Sequence, residues 1–259
     1  MFNFAHYLLT LIPLSLMAIL AWTLSLKHNN VTLVDTLWAL FFLFSTLFSF
    51  FAYAEPSPRA WLVLSLVAIW ACRLSGHLHK RNHNKAEDAR YQAIRARNQP
   101  NFRIKSLYLV FLLQAVLAWI IATPLHAATV STNALNAWDA LGLALWLIGM
   151  FFQVLGDSQL ARFVAQAGNK GKVLSSGVWR YTRHPNYFGE ACIWFGYGCL
   201  GLASGAWWTL ISSIFMTYLL VKVTGAKLLE ADIAKRRPGY STYMQTTSGF
   251  VPWFPKKGD

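Results

Sequence analysis

Polar residues with a regular spacing interrupt two apolar segments in the C-terminal half of the chain. Gly149, Gln153 and Asp157 recur every four residues and therefore share one face of a predicted helix. Asn186 and Glu190 are likewise four residues apart in the next apolar segment. A carboxylate at the centre of a bilayer costs about 2.5–3.5 kcal/mol on insertion scales, so acids in such segments indicate a functional site. The alternative for Asp157 is a carboxylate at the membrane interface.

Basic residues stand just before the second of these segments. Arg180, Arg183 and His184 precede Pro185, which suits the first turn of a helix because its missing N–H has no partner there in any case. Cations beside the free N–H groups of a helix N-terminus form an anion site, and the guanidinium fork matches phosphate oxygens. The pattern predicts a site for a phosphate-bearing ligand, with Lys172 as a further cation. The alternative is a loop that is basic only because of membrane topology.

Membrane-spanning helices must position these residues. The chain is 56% hydrophobic and 13% charged, whereas soluble domains carry about 25% charged residues. A spanning helix needs about 20 mostly apolar residues. The sequence predicts an all-α membrane protein of about seven transmembrane helices. The predicted spans are residues 4–26, 32–54, 60–79, 105–126, 137–157, 187–204 and 206–223.

Lysine and arginine are concentrated in the loops on one side of these spans. Of 23 such residues, eight lie in 80–105, five in 158–183 and seven in 222–257, whereas the loops 127–136 and 203–206 contain none. The positive-inside rule then places the N-terminus outside and the C-terminus in the cytoplasm. Because topology explains the net charge of +13, nucleic acid is not an expected partner. The predicted location is a bacterial inner membrane.

Several motifs of the chain resemble a known superfamily. They are Gln153 and Asp157, the block GVWRYTRHPNYFGE at 177–190, Glu230, and Tyr240 and Tyr243. Together they resemble the C-terminal domain of the steroid 5-alpha-reductase superfamily, which includes the sterol reductases and the isoprenylcysteine carboxyl methyltransferases. The segment EDARY at 87–91, with Asp35 and Trp38, is similar to a bacterial branch of that superfamily. The resemblance covers about residues 150–255 and is loose over the first 80.

The resemblance implies a cofactor and a substrate class. Reductases of this superfamily bind NADPH in a polar cavity that opens to the cytoplasm, so NADPH is the expected cofactor and no metal is expected. Residues 127–259 would bind it, and residues 1–126 would face a flat apolar lipid, such as an enoyl or sterol-like molecule. The residues implied at the cofactor are Gln153, Asp157, Tyr181, Asn186, Glu190, Glu230 and Tyr240. Lys172, Arg180 and Arg183 are expected at the phosphates on physical grounds, with His184, Tyr187 and Tyr243 beside them.

The proton donor departs from the superfamily pattern. The steroid 5-alpha-reductases use a Gln-Glu pair on an early span and a tyrosine on a later one, and this chain lacks that pair. The predicted proton donors are Asp35, near the start of the second predicted span, and His77, near the end of the third. Histidine suits the role because it titrates near neutral pH. The alternatives are that Asp35 only interacts favourably with the dipole at the start of a helix, and that His77 is a histidine at the membrane interface without a catalytic role.

Two other functions remain open beside the reductase. The first is a membrane methyltransferase that uses S-adenosylmethionine, whose relatives share an RHPxY-type block. Those relatives usually have two glutamates in the tail, where this chain has Glu230 followed by alanine, and the pair Gln153 and Asp157 favours a dinucleotide. The second is a lipid-binding membrane protein without enzymatic activity, which would retain no cofactor.

Overall fold

A computed structural model describes residues 2–55, 57–223, 230, 233–234 and 236–256. The described residues are helical or irregular, and no strand occurs among them. The chain divides into two compact units, residues 1–137 with 200–212 and residues 138–199 with 213–259. The α-helices are α1 (Phe4–Leu9), α2 (Leu11–His28), α3 (Leu33–Tyr53), α4 (Pro58–Asn82), α5 (Ala89–Arg97), α6 (Phe102–Ser106), α7 (Leu113–Ile121), α8 (Thr123–Thr129), α9 (Ala137–Ala165), α10 (Pro185–Ala203), α11 (Leu210–Tyr218) and α12 (Tyr240–Thr246).

Five helices among the described residues are long and apolar enough to cross a membrane. The predicted sixth span is α10, which is long enough but contains Asn186, Glu190 and several glycines and is therefore less apolar. The predicted seventh corresponds to a shorter apolar helix, Trp207–Lys222. The all-helical membrane class is confirmed, whereas seven spans and the orientation of the termini stay predictions. The five are Phe4–His28, Leu33–Tyr53, Pro58–Asn82, Phe102–Ile121 and Ala137–Ala165.

One arginine of the first unit is fully buried at the start of α4. The guanidinium of Arg59 donates to Ser131 Oγ at 3.0 Å and to the carbonyl oxygens of Asn133 at 3.0 Å and Ala134 at 2.8 Å. These acceptors follow α8, so Arg59 fixes the loop between α8 and α9. Arg59 lies on the side of the membrane predicted to be poor in cations. Its structural role accounts for its presence there, because a buried guanidinium is stable only when acceptors such as these carbonyl oxygens bind it.

Glycines allow α9 and α10 to pack closely in the second unit. A methyl group added at Gly189 would lie 2.5 Å from the carbonyl oxygen of Gly149, and one at Gly196 would lie 2.7 Å from that of Gly142. Near the start of α10, Gly156 lies against Pro185. The contacts pair the end of one helix with the start of the other, so the two helices run antiparallel. Small residues at such positions let helix backbones approach each other in a membrane.

Replacing Gly149 with alanine is expected to destabilise the second unit. The added methyl group would collide with the carbonyl oxygen of Gly189 and lie 2.7 Å from Cγ1 of Ile193. Overpacking of this kind typically costs about 1–3 kcal/mol. Thermal unfolding in detergent measures the effect, with Gly76→Ala as the control because no atom lies within 4 Å of a methyl group there. Equal stability of the two variants would contradict the close packing.

Candidate functional site

Side-chain hydrogen bonds link α9 and α10 in a row of three pairs, called here the polar ladder. Asn186 Nδ2 donates to Asp157 Oδ1 at 3.1 Å, and Gln153 Nε2 donates to Glu190 Oε2. The four predicted residues therefore lie together on the facing sides of two helices. The three pairs are Asp157 with Asn186, Gln153 with Glu190, and Trp146 with Tyr197.

Glu190 is the more buried of the two acids in the polar ladder, with only 5% of its surface exposed. Burial of a carboxylate is costly unless hydrogen bonds satisfy its oxygens. Gln153 donates to one oxygen of Glu190, and Trp194 Nε1 donates to the other at 3.0 Å. Trp194 was not among the predicted site residues, because its spacing of four from Glu190 is as typical of helix packing as of a site.

Two predicted phosphate-binding residues lie on the surface of the same unit. The side chains of Lys172 and Arg180 are exposed and form no hydrogen bond or ion pair with any described residue. The loop that contains Arg180 is fixed to α9, since Val178 N donates to Gln159 Oε1 at 3.1 Å and Trp179 Nε1 donates to the carbonyl oxygen of Gly156 at 3.1 Å. Both cations are thus available to an anion.

Arg183 and His184 have protein partners instead. Arg183 Nε donates to Glu230 Oε1 at 2.7 Å, and Arg183 Nη1 donates to the carbonyl oxygens of Met244 and Thr247 at 2.8 and 2.9 Å. His184 Nε2 lies 2.9 Å from the same carboxylate oxygen of Glu230. These contacts connect the loop before α10 to the C-terminal tail. The spacing of residues in the sequence could not show that Glu230, 47 residues away, reaches Arg183.

The charges in this cluster shift the pKa of two of its members. Burial alone would raise the pKa of Glu230, but the hydrogen bonds from Arg183 and His184 outweigh it, and the pKa is lowered from 4.5. Burial lowers the pKa of His184 from 6.5, and its hydrogen bond to Glu230 offsets only part of that change. We therefore expect an ionised Glu230 and a neutral His184 at pH 7.

The tail lies along the same loop through backbone contacts. Tyr243 donates from its hydroxyl to the carbonyl oxygen of Trp179, and Arg183 N donates to the carbonyl oxygen of Ser248 at 2.9 Å. Trp253 N donates to the carbonyl oxygen of Tyr181 at 2.9 Å, which leaves the Tyr181 side chain exposed. The two remaining predicted tyrosines also lie here: Tyr240 is buried against Tyr243, and Tyr187 stacks on His184 with ring centroids 5.5 Å apart.

In the first unit, the predicted acid Asp35 belongs to a hydrogen-bonded network of side chains. Tyr91 donates from its hydroxyl to Asp35 Oδ1 at 2.5 Å, and Arg90 Nη2 donates to Asp35 Oδ2 at 2.7 Å. Gln114 Nε2 donates to the Tyr91 hydroxyl at 3.1 Å. Burial and the charge of Asp35 raise the pKa of Tyr91 far above 10.0, so its hydroxyl keeps its proton at pH 7.

The segment EDARY at 87–91 places Tyr91 in this network. Asp88 Oδ1 caps α5 by accepting from Arg90 N at 2.9 Å, and Asp88 N donates to Thr32 Oγ1 at 2.9 Å. Glu87 Oε1 accepts from Val31 N at 2.9 Å. The segment thereby fastens α5 to the start of α3, where Asp35 lies. The other predicted donor, His77, is half-buried in α4.

Comparison with known proteins assigns the chain to a family. The model of a family described as a protein of unknown function (DUF1295) matches residues 21–247. The chain belongs to this family.

Relatives of this DUF1295 protein include two kinds. An uncharacterized protein of Schizosaccharomyces pombe is 24% identical over 261 residues, which cover 89% of the chain and 75% of that relative. The 3-oxo-5-alpha-steroid 4-dehydrogenase 1 of Mus musculus is 35% identical over 80 residues, or 30% of the chain and 29% of that enzyme. Its counterpart in Bos taurus is 37% identical over 67 residues, 26% of each chain. The similarity to the steroid enzymes thus spans less than a third of their length, and no solved structure matches the chain.

Proposed function

We propose that this protein is a membrane-embedded, NADPH-dependent reductase of a carbon–carbon double bond in a steroid-like or other enoyl lipid. The polar ladder carries the proposal, because acids and amides are gathered on facing helices next to a loop with two available cations. The names of the steroid relatives denote dehydrogenation of a 3-oxo steroid, and the reverse reaction reduces a double bond conjugated to a carbonyl group. A location in the bacterial inner membrane completes the proposal.

The chemistry of the second unit fits a dinucleotide. Asp157 and Glu190 offer carboxylate oxygens that can accept from ribose hydroxyls or from a carboxamide N–H, as acids do in other dinucleotide sites. Gln153 and Asn186 add amide groups that can both donate and accept. Phosphates suit the exposed Lys172 and Arg180, and a guanidinium can bind a phosphate through two parallel hydrogen bonds. We assign residues 127–259 to cofactor binding and residues 1–126 to the lipid substrate.

The first unit contains a group that can act on a carbonyl. When bound, NADPH supplies the hydride that adds to the β-carbon of the substrate. We assign Tyr91 to the carbonyl oxygen of the substrate, where negative charge develops. The single hydroxyl hydrogen of Tyr91, which is donated to Asp35 in the structure, would turn to that oxygen when substrate binds. Asp35 positions the phenol, and Arg90 balances the charge of Asp35. A proton taken from water and added at the α-carbon completes the reduction.

Thermal unfolding of the detergent-purified chain with NADPH and with S-adenosylmethionine tests the cofactor. NADPH at 100 times its dissociation constant is expected to stabilise the protein by about 2.7 kcal/mol. A shift with S-adenosylmethionine and none with NADPH would support the methyltransferase instead. No shift with either would leave a lipid-binding protein without a cofactor.

Replacing Arg180 with alanine tests where the phosphates bind. If Arg180 contacts the 2′-phosphate, the variant should lose more affinity for NADPH than for NADH, because only NADPH carries that group. Arg162→Ala is the matched control, since Arg162 is an exposed cation at the end of α9 outside the predicted site. Equal losses for both nucleotides would remove Arg180 from the 2′-phosphate.

A further inference from the structure

A polar cavity of about 360 Å³ occurs in the first unit, and none of the side chains that line it has been given a role in cofactor binding or catalysis. It lies at the ends of helices whose connecting loops, after Tyr53 and after Ile121, are predicted to face away from the cytoplasm. The side chains that line it include Asn3, His6, Tyr53, Glu55, His126 and Thr132.

One wall of the cavity contains a histidine whose tautomer follows from its neighbours. Ser49 donates its only hydroxyl hydrogen to the carbonyl oxygen of Ser45 at 2.9 Å. The Ser49 oxygen, 2.8 Å from His126 Nδ1, must then accept from that nitrogen. His126 Nε2 is consequently a lone-pair acceptor, and this buried atom has no hydrogen-bond partner among the described residues. Burial lowers the pKa of His126 to about 4, so the ring is neutral at pH 7.

The lining of the cavity also includes a negative charge and a pair of stacked rings. Glu55 is exposed, and its carboxylate has no hydrogen bond or ion pair with a described residue. The ring of Tyr53 stacks on that of His6, with centroids 4.1 Å apart and planes 6° apart. Aromatic faces attract cations, and a carboxylate attracts them more strongly.

Contacts of α1 fix this part of the cavity lining in place. Asn3 Oδ1 accepts from the backbone N–H groups of Ala5 and His6 and so caps the helix. Tyr7 donates from its hydroxyl to the carbonyl oxygen of Trp119, and Trp119 Nε1 donates back to the carbonyl oxygen of Tyr7 at 3.1 Å. The reciprocal pair joins α1 to α7, and His6 is thereby positioned in the wall.

We propose that this cavity binds a primary ammonium group, either the head group of an ethanolamine phospholipid or a small soluble amine. An ammonium group has three N–H donors and no acceptor, which matches the two acceptors without a described partner, the Glu55 carboxylate and His126 Nε2. The Glu55 carboxylate and the lone pair of His126 accept from it, and the ring of Tyr53 belongs to the same lining. A quaternary ammonium lacks N–H donors and an anion meets the Glu55 charge, so both bind more weakly.

Thermal unfolding of the full chain in detergent tests the ligand class. Ethanolamine hydrochloride is expected to raise the unfolding temperature, whereas ethylene glycol, its neutral analogue, is expected to leave it unchanged, and choline chloride to have a smaller effect. Glu55→Gln should weaken ethanolamine binding by about tenfold or more, since it removes a charge-assisted hydrogen bond. Glu55 is exposed, so this variant keeps the fold. Equal shifts with ethanolamine and ethylene glycol, or an unchanged response in Glu55→Gln, would overturn the proposal.

Reconstitution into lipid nanodiscs separates the two sources of the amine. If the ligand is the lipid head group, nanodiscs of phosphatidylethanolamine should stabilise the wild-type protein more than those of phosphatidylcholine, and Glu55→Gln should abolish the difference. If the ligand is a soluble amine, added ethanolamine should stabilise the protein in phosphatidylcholine nanodiscs, and the two lipids alone should give equal stability. Absence of both effects would count against an ammonium site.

Discussion

Replacing Tyr91 with phenylalanine is expected to lower the rate of reduction by about 10²–10⁴-fold and to leave NADPH affinity unchanged. The variant removes a single hydroxyl group, the one that donates to Asp35 and accepts from Gln114. The fold should persist, because Asp35 keeps its ion pair with Arg90 at 2.7 Å. The loss therefore reports on the chemical step rather than on folding.

The measurement is the oxidation of NADPH by detergent-purified protein with a 4-en-3-one steroid as the probe substrate. Tyr108→Phe is the control, since Tyr108 is an exposed tyrosine of the same unit and no described residue forms a hydrogen bond with its hydroxyl. Wild type and Tyr108→Phe should turn over at the same rate. Full activity in Tyr91→Phe would exclude its hydroxyl from catalysis.

The long apolar helices could be predicted from the sequence because a span needs only an apolar run of sufficient length. Five of the seven predicted spans have that character in the structure. The second unit was predictable in part for the same reason: a spacing of four puts Gln153 and Asp157 on one face of any helix. Their partners, Glu190 and Asn186, could be paired with them only once the antiparallel packing of α9 and α10 was known.

Contacts over long chain separations could not be predicted. Asp35 was predicted as a proton donor, and its hydrogen bond with Tyr91, 56 residues away, could not be foreseen. Tyr91 lies in a polar segment of the sequence, where hydropathy carries no information about burial, and the signal that could have found it is the EDARY segment. The cavity beside His126 went unnoticed because its residues come from three separate parts of the chain.

Replacing Arg183 with alanine is expected to release the C-terminal tail and to destabilise the protein by about 3–5 kcal/mol, the usual effect of removing one partner of a buried ion pair. The side chains of Arg183 and Glu230 are only 15% and 16% exposed. The guanidinium also donates to two carbonyl oxygens, that of Met244 in α12 and that of Thr247 just after it. Lysine should not restore the contacts, because a point charge cannot reach the carboxylate and both carbonyls at once.

Acid should release the tail as well. Burial of the cluster lowers the pKa of His184 from 6.5, and the hydrogen bonds from Arg183 and His184 lower that of Glu230 from 4.5, so both residues bind protons more readily once the cluster opens to water. The stability that docking provides is therefore complete above about pH 6.5 and declines as the pH falls, first through His184 and then, below 4.5, through Glu230. Protease cleavage within residues 236–256 should accelerate in the same order.

Arg180→Ala provides the contrasting variant for both experiments. Arg180 is three residues from Arg183 and carries the same charge, but its side chain is exposed and forms no hydrogen bond or ion pair with a described residue. We expect Arg180→Ala to keep wild-type stability and tail protection while it weakens NADPH binding. Arg183→Ala should instead lose stability and tail protection in the absence of any nucleotide. If Arg183→Ala matched wild type in thermal unfolding and proteolysis, Arg183 would not hold the tail. The prediction that Arg183 binds a phosphate would then be favoured.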